Sequence, residues 1–314
     1  MRDLKDFTTS DWIRFLPLRH ALKQGRDDAV KSAFLKSRAK ALEKFLQDTS
    51  HLKGKNIASV VAFGQPWVVD FFLKMAGRYL ADATVLIFDN SRQASDRAKI
   101  EGVCREHNAH YLGLPWNPSR HANRSHGLAM TWIFHNVLRT IQPAIAGFID
   151  HDLIPTERIE FTERLGTQPF YGRLIPSDWA WSLWAGYCIY DFSIVKDRPL
   201  NFLHDFSRGL DTGGRNWNCL YKEFDRDKLN FAHCEGPNSA RQTTKRLRKV
   251  RLVDNRWIHL GGVGYNDNFK LNADFFARIA DLALAGDNCH QIVAAVEPRP
   301  DSDSNSQPTQ VVPR

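Results

Sequence analysis

The chain divides by the period of its apolar positions. Over residues 28–48, Val30, Phe34, Leu35, Leu42, Phe45 and Leu46 recur at helical spacing with Lys and Glu between them, which predicts an amphipathic helix. From residue 57 the pattern changes to short apolar runs at 57–63, 84–88 and 111–114, separated by helix-like segments at 67–80 and 97–107. Strands alternating with helices predict a mostly parallel sheet with helices on its faces. A further helix is expected at 126–138, then a strand at 144–149 that runs straight into Asp150. Beyond Asp152 the alternation loosens into strand-like 170–174 and 185–190, a helix near 215–223 and a short strand at 256–259, closer to a mixed sheet than to a second doubly wound domain. Residues 297–314 are rich in Pro, Ser, Asp and Gln, which predicts a disordered tail. The expected organisation is an N-terminal helical extension at 1–50, one α/β domain at 51–296 and the tail at 297–314.

Composition narrows the function classes. With 314 residues, 43% hydrophobic and 25% charged, the chain is an ordinary globular sequence able to bury a large core. It has no run of about 18 apolar residues to span a bilayer and no apolar secretory leader, so a soluble, cytoplasmic protein is expected. The five cysteines are scattered and never spaced as Cys-x-x-Cys, which argues against a disulfide framework and a zinc knuckle. A net charge of +8 suits an acidic partner: a nucleoside diphosphate, an anionic lipid surface or nucleic acid. Part of that charge lies in the run Arg241, Lys245, Arg246, Arg248, Lys249 and Arg251. This run reads equally as a loop closing on a diphosphate, a solvated face, or a contact with the inner face of an anionic membrane.

The most informative stretch is Gly147-Phe148-Ile149-Asp150-His151-Asp152-Leu153-Ile154-Pro155. Two carboxylates two residues apart at the end of an apolar strand can converge on one hard cation if the chain bends there. Mg2+ and Mn2+ take oxygen ligands and leave room for substrate phosphates, so such a pair plus a diphosphate makes a complete site. The bland alternative is that the aspartates serve only as turn and cap residues.

Phe148 through Pro155 resembles the Asp-x-Asp signature of GT-A glycosyltransferases, particularly family 2-like bacterial enzymes, and residues 57–265 are covered by the resemblance. It implies a GT-A mixed sheet flanked by helices, a nucleotide-sugar donor, Mn2+ or Mg2+ as cofactor, and Asp150 and Asp152 as metal and donor ligands. Val85-Leu86-Ile87-Phe88-Asp89-Asn90-Ser91 resembles the family's second strand, making Asp89 and Asn90 nucleoside-binding candidates against a simple turn. Asn123-Arg124-Ser125-His126-Gly127-Leu128-Ala129 is similar to the loop and helix start that contact the nucleotide sugar, which nominates Asn123 and Gly127; a Ser cap fits this stretch equally well. Trp257-Ile258-His259-Leu260-Gly261-Gly262 resembles the late segment whose histidine joins the metal or diphosphate in some of these enzymes, so His259 is a third metal candidate, with a satisfied core imidazole as the alternative.

On the acceptor side, Trp179, Trp181 and Trp184 crowd before Gly186, and aromatic faces stack on sugar rings. Trp181, Trp184 and Gly186 are the acceptor candidates for a saccharide or lipid-linked acceptor, with core packing as the alternative. Inverting transfer needs a general base, usually a carboxylate; Asp211, in Gly209-Leu210-Asp211-Thr212-Gly213-Gly214, is the first choice and Asp205 the second, with a plain helix cap as the alternative for either. The function expected is glycosyl transfer, in bacterial surface glycan synthesis. One rival is a sugar-nucleotide nucleotidyltransferase, disfavoured because the first strand ends in Ala62-Phe63-Gly64-Gln65-Pro66-Trp67, with one glycine and no nearby cation. The other is a basic nucleic-acid-binding module, for which no helix-turn-helix, zinc-finger or RNA-recognition signature is present.

Overall fold

A computed structural model describes residues 2–235, 250–263 and 268–296. The basic run at 241–249 and the tail at 297–314 lie outside the described residues, whereas Arg251 opens a strand.

The expected α/β alternation builds one six-stranded mixed sheet. Its strands are β1 (Asn56–Ala62), β2 (Ala83–Asp89), β3 (His110–Gly113), β4 (Ile145–Asp150), β6 (Phe170–Pro176) and β7 (Trp181–Asp191), in the order β3-β2-β1-β4-β7-β6. β3, β2, β1 and β4 run parallel, whereas β7 is antiparallel to both β4 and β6. A second, four-stranded sheet of order β5-β10-β9-β8 contains β5 (Leu153–Pro155), β8 (Cys234–Glu235), β9 (Arg251–Val253) and β10 (Trp257–His259).

Side chains on β1 alternate between the two faces of the main sheet, as the strand period requires. Ala58, Val60 and Ala62 join one core with the helices Pro66–Tyr79, Ala94–Glu106 and Ala273–Ala285 and the small sheet. Ile57 and Val61 join the other, with the N-terminal helices and the helix Ala122–Ile133, which continues as a π-helical turn at Phe134–Leu138.

The N-terminal helical segment differs in detail from its sequence pattern. Instead of one helix over 28–48 there are two longer-range pieces, Leu16–Leu35 and Leu42–Asp48. The break is imposed from outside the segment: Trp132 Nε1 donates to the Ser37 carbonyl at 2.9 Å, and Ala39 is buried in the core. The short strands β5, β8 and β9 have too few residues to display an alternation, and only their pairing defines them.

One buried polar cluster ties the small sheet to the large one. Asp254, left-handed at φ 56° in the β9–β10 turn, accepts from the Tyr171 hydroxyl at 2.7 Å and the Tyr187 hydroxyl at 3.2 Å. Arg164 Nε lies 3.2 Å from Oδ2, the oxygen that Tyr187 also meets. Burial nonetheless outweighs these partners and holds the Asp254 carboxyl above its usual range. Asp254→Ala removes the shared partner of three buried groups and places alanine in a left-handed conformation, so urea unfolding should show a loss of about 3 kcal/mol. Asp254→Asn, which keeps an acceptor and tolerates that backbone, should lose less than half as much.

Candidate active site

The site forms where one chain turn passes between the two sheets. Asp150 ends β4 and pairs in register with Val61 of β1, and Leu153 begins β5 in the other sheet. His151 pins the turn, its Nδ1 2.9 Å from the Val61 carbonyl oxygen. Because His259 of β10 pairs with Leu153, and the Leu260 amide donates to the Asp152 carbonyl at 2.9 Å, the small sheet's register sets His259 beside Asp152. Their side chains meet with Nε2 3.4 Å from Oδ1. One ligand atom each from Asp150, Asp152 and His259 lies within 4.8 Å of the other two, a spacing at which all three can reach one cation.

Burial alone pushes the Asp152 carboxyl up, but His259, with His151 and the Val263 amide behind it, overrides that and holds it well below the usual carboxylate range. Asp152 therefore offers a charged oxygen at any physiological pH. Asp150 faces His126, whose Nε2 lies 3.3 Å from Oδ1 and is buried without a hydrogen-bond partner among the described residues. Such an orphan donor or acceptor beside the carboxylate fits a ligand or cation bound there. Two carboxylates with an imidazole suit Mn2+ better than Mg2+, which prefers an all-oxygen shell.

These groups line a cavity of about 360 Å³ at the carboxyl ends of the parallel strands, where open α/β sheets bind ligands. Asn90, Asn123, Asp150, Asp152, Trp184, Gly186, Asp211 and His259 all reach its wall. Asn90 is held rigidly: its Nδ2 donates to Ser125 Oγ at 3.0 Å, and its Oδ1 accepts from Asn117 at 3.1 Å. The Trp184 ring packs edge-on against His259, centroids 4.8 Å apart, and so also fixes the imidazole. Asp211, also on the lining, accepts from Asn123 at 3.2 Å and from the Thr212 amide at 2.8 Å, with His204 Nε2 at 2.8 Å. These contacts, His204 foremost, lower its carboxyl to about 2. Asp211 is therefore ionised at any working pH, as a base must be, yet weakly basic while His204 holds it.

Four sequence candidates lie away from the cavity. Asp89 is fully buried, with Oδ1 on the Ser91 amide at 2.7 Å and Oδ2 on the Tyr111 hydroxyl at 3.0 Å, so it locks the turn after β2. Gly127 is a packing glycine, since a Cβ there would overlap the Phe202 carbonyl. Trp181 is buried among Phe170, Trp217, Tyr221 and Phe231, the core alternative weighed for these tryptophans. Asp205 is fully buried and spends its oxygens on Ser207 and Arg208 within its own turn.

Conversely, the sequence did not single out His126, Arg92, Arg120 or His204. His126 stands one helical turn after Asn123 on the helix facing β4, a spacing that was legible once Asn123 was chosen. Arg92 and Arg120 line the cavity from loops, where no periodicity marks them.

Gly186 carries the tightest steric demand of the site. A Cβ at this position would overlap both the Asp150 carboxylate and the Trp184 ring. Gly186→Ala should displace the carboxylate and weaken Mn2+ binding, read by titration calorimetry, by about tenfold or more. The far-UV circular dichroism should remain that of the parent protein.

A scan against protein-family models and a search of curated proteins found no match. Among solved structures, the chain is similar to the bifunctional glycosyltransferase WbbM in its apo form, with 10% identity over 44% of this chain and 31% of that one, at a TM-score of 0.31. It is also similar to glucosyl-3-phosphoglycerate synthase from Mycobacterium tuberculosis in complex with Mn2+ and UDP-glucose, with 14% identity over 44% of this chain and 48% of that one, at a TM-score of 0.28. The chain thus spans less than half the length of either. What the cavity can do follows from its own side chains.

Proposed function

We propose that the protein is a metal-dependent glycosyltransferase that takes a sugar from a nucleoside-diphosphate donor and passes it to a saccharide or lipid-linked acceptor. The observation that supports it most directly is the convergence of Asp150, Asp152 and His259 within 4.8 Å on the wall of a cavity also lined by Arg92, Arg120 and a separate carboxylate, Asp211.

Each part has a distinct chemical use. A divalent cation bound by the triad would neutralise a departing diphosphate, a Lewis-acid contribution of several kcal/mol. Arg92 and Arg120 add fixed positive charge for the same phosphates, and Asn90 and Asn123 offer hydrogen bonds to the nucleoside or sugar. His126 orients Asp150 or meets the donor through its unpartnered Nε2. Asp211, on the same cavity lining, accepts the proton of the acceptor hydroxyl; an acceptor that takes over the contact with His204 raises its basicity as it binds. Trp184 and Gly186 border the space left for the acceptor.

Thermal-shift measurements with UDP, GDP, CDP and their sugar conjugates, with and without Mn2+, test the donor half. One nucleotide should stabilise the protein in a Mn2+-dependent way, because a ligand bound only to the native state adds to its stability. Asp152→Asn should lose that Mn2+-dependent shift and cut transfer by about a thousandfold or more. An undiminished shift in Asp152→Asn would remove the metal role. Asp211→Asn should keep the shift and lose transfer by about a hundred- to ten-thousandfold.

A further inference from the structure

Exposed apolar surface on this protein is concentrated at one end. Of the ten large apolar side chains exposed among the described residues, six fall within the first 22: Leu4, Trp12, Ile13, Phe15, Leu18 and Leu22. Ile13, Phe15 and Leu22 are each about two-thirds exposed, at 73%, 66% and 65%. Scattered single side chains of this kind mean little, but a contiguous set usually marks an interaction surface.

The local geometry makes the set contiguous. The short helix Thr9–Ile13 meets the helix Leu16–Leu35 at a corner formed by Phe15, which is left-handed at φ 52°. Trp12, Ile13 and Phe15 occupy this corner, and Leu18 and Leu22, one turn apart, extend the stripe along the second helix. Basic residues run beside it: Arg14, Arg19, Lys23 and Arg26 are exposed, and residues 12–26 contain no Asp or Glu.

A tryptophan and aliphatic side chains bordered by Arg and Lys form the pattern of a helix that lies in a membrane interface. Charge complementarity selects an anionic surface. A second copy docked on the same face would bring like charges together, which disfavours a symmetric dimer there.

We infer that the corner formed by residues 12–22 docks on an anionic lipid bilayer, with Ile13, Phe15, Leu18 and Leu22 entering the headgroup boundary and Arg14, Arg19 and Lys23 meeting lipid phosphates. The contact is carried by residues 12–22 and needs no contribution from the basic run at 241–251. The lipid contact is independent of the transferase reading; only its use rests on that reading. The helix Leu16–Leu35 packs against the loop that carries Asp211: Arg215 pairs with Asp28 and reaches the Gln24 carbonyl, and Lys23 lies 5.3 Å from the Phe206 ring. Arg2 adds a bond from its amide to Ser207 Oγ at 2.8 Å. Docking would therefore hold the acceptor side of the cavity close to the bilayer, where a lipid-linked acceptor resides.

Vesicle co-sedimentation tests the contact directly. The full chain should bind vesicles of mixed phosphatidylglycerol and phosphatidylcholine, bind pure phosphatidylcholine far more weakly, and release at about 0.5 M salt. Arg14→Gln with Arg19→Gln should weaken binding about 25-fold, at about fivefold per basic residue. Ile13→Ser, Phe15→Asn and Leu22→Gln together should abolish it; all three positions are exposed and Asn suits the left-handed backbone, so unfolding curves should match the parent. Equal binding to both vesicle types, or undiminished binding by either variant, would overturn the proposal. So would light scattering that shows a parent dimer, dissociated by the triple variant, without vesicle binding. Mn2+-dependent nucleotide binding, measured on the same variants in free solution, reports separately on the transferase reading.

Discussion

The site depends on a single turn that belongs to two sheets at once. Asp150 is fixed by the parallel pairing of β4 with β1, and Asp152 by the antiparallel pairing of β5 with β10. His151 and Asp152 bridge the two ladders within two residues, so the backbone positions that bear the two carboxylates are tied to both sheets. His259 arrives from more than a hundred residues away through the same small sheet. Backbone hydrogen bonds, rather than side-chain contacts alone, thus set the spacing of the three ligand atoms.

Around that turn the protein spends buried polar groups on rigidity. Asn90, Asn117 and Ser125 close a network behind the cavity wall, and Asp89 fastens the end of β2 to its own turn and to Tyr111. The tyrosine and arginine partners of Asp254 clamp the small sheet onto the large one from the far side. A site that gathers charge must hold its ligands in place before anything binds, since buried like charges would otherwise relax away from one another. Gly186 adds a steric form of the same constraint by leaving the Asp150 carboxylate its only room.

Two electrostatically different groups line the cavity. One is the Asp150, Asp152 and His259 cluster, and the other is Asp211, held by His204. The loop that bears Asp211 is braced by the N-terminal helices through the Asp28 and Arg215 pair, so the helical segment at the start of the chain supports part of the cavity lining.

The sequence by itself determined the α/β alternation, the apolar strand leading into Asp150 and the pair of carboxylates after it, because periods of two and near four, and short chemical motifs, are local properties. It also nominated His259 and Asp211, although each only through a nearby pattern. Tertiary structure decided which of the candidates share a cavity. Asp89, Asp205 and Trp181 carry the same chemical groups as Asp150, Asp211 and Trp184, yet burial and local hydrogen bonds commit them to turns and core. It also decided the break near Ser37 and the existence of β5, β8 and β9, and it brought His126 and His204 to their carboxylates. Strand register and helix packing join residues far apart in the chain, and no local period encodes that distance.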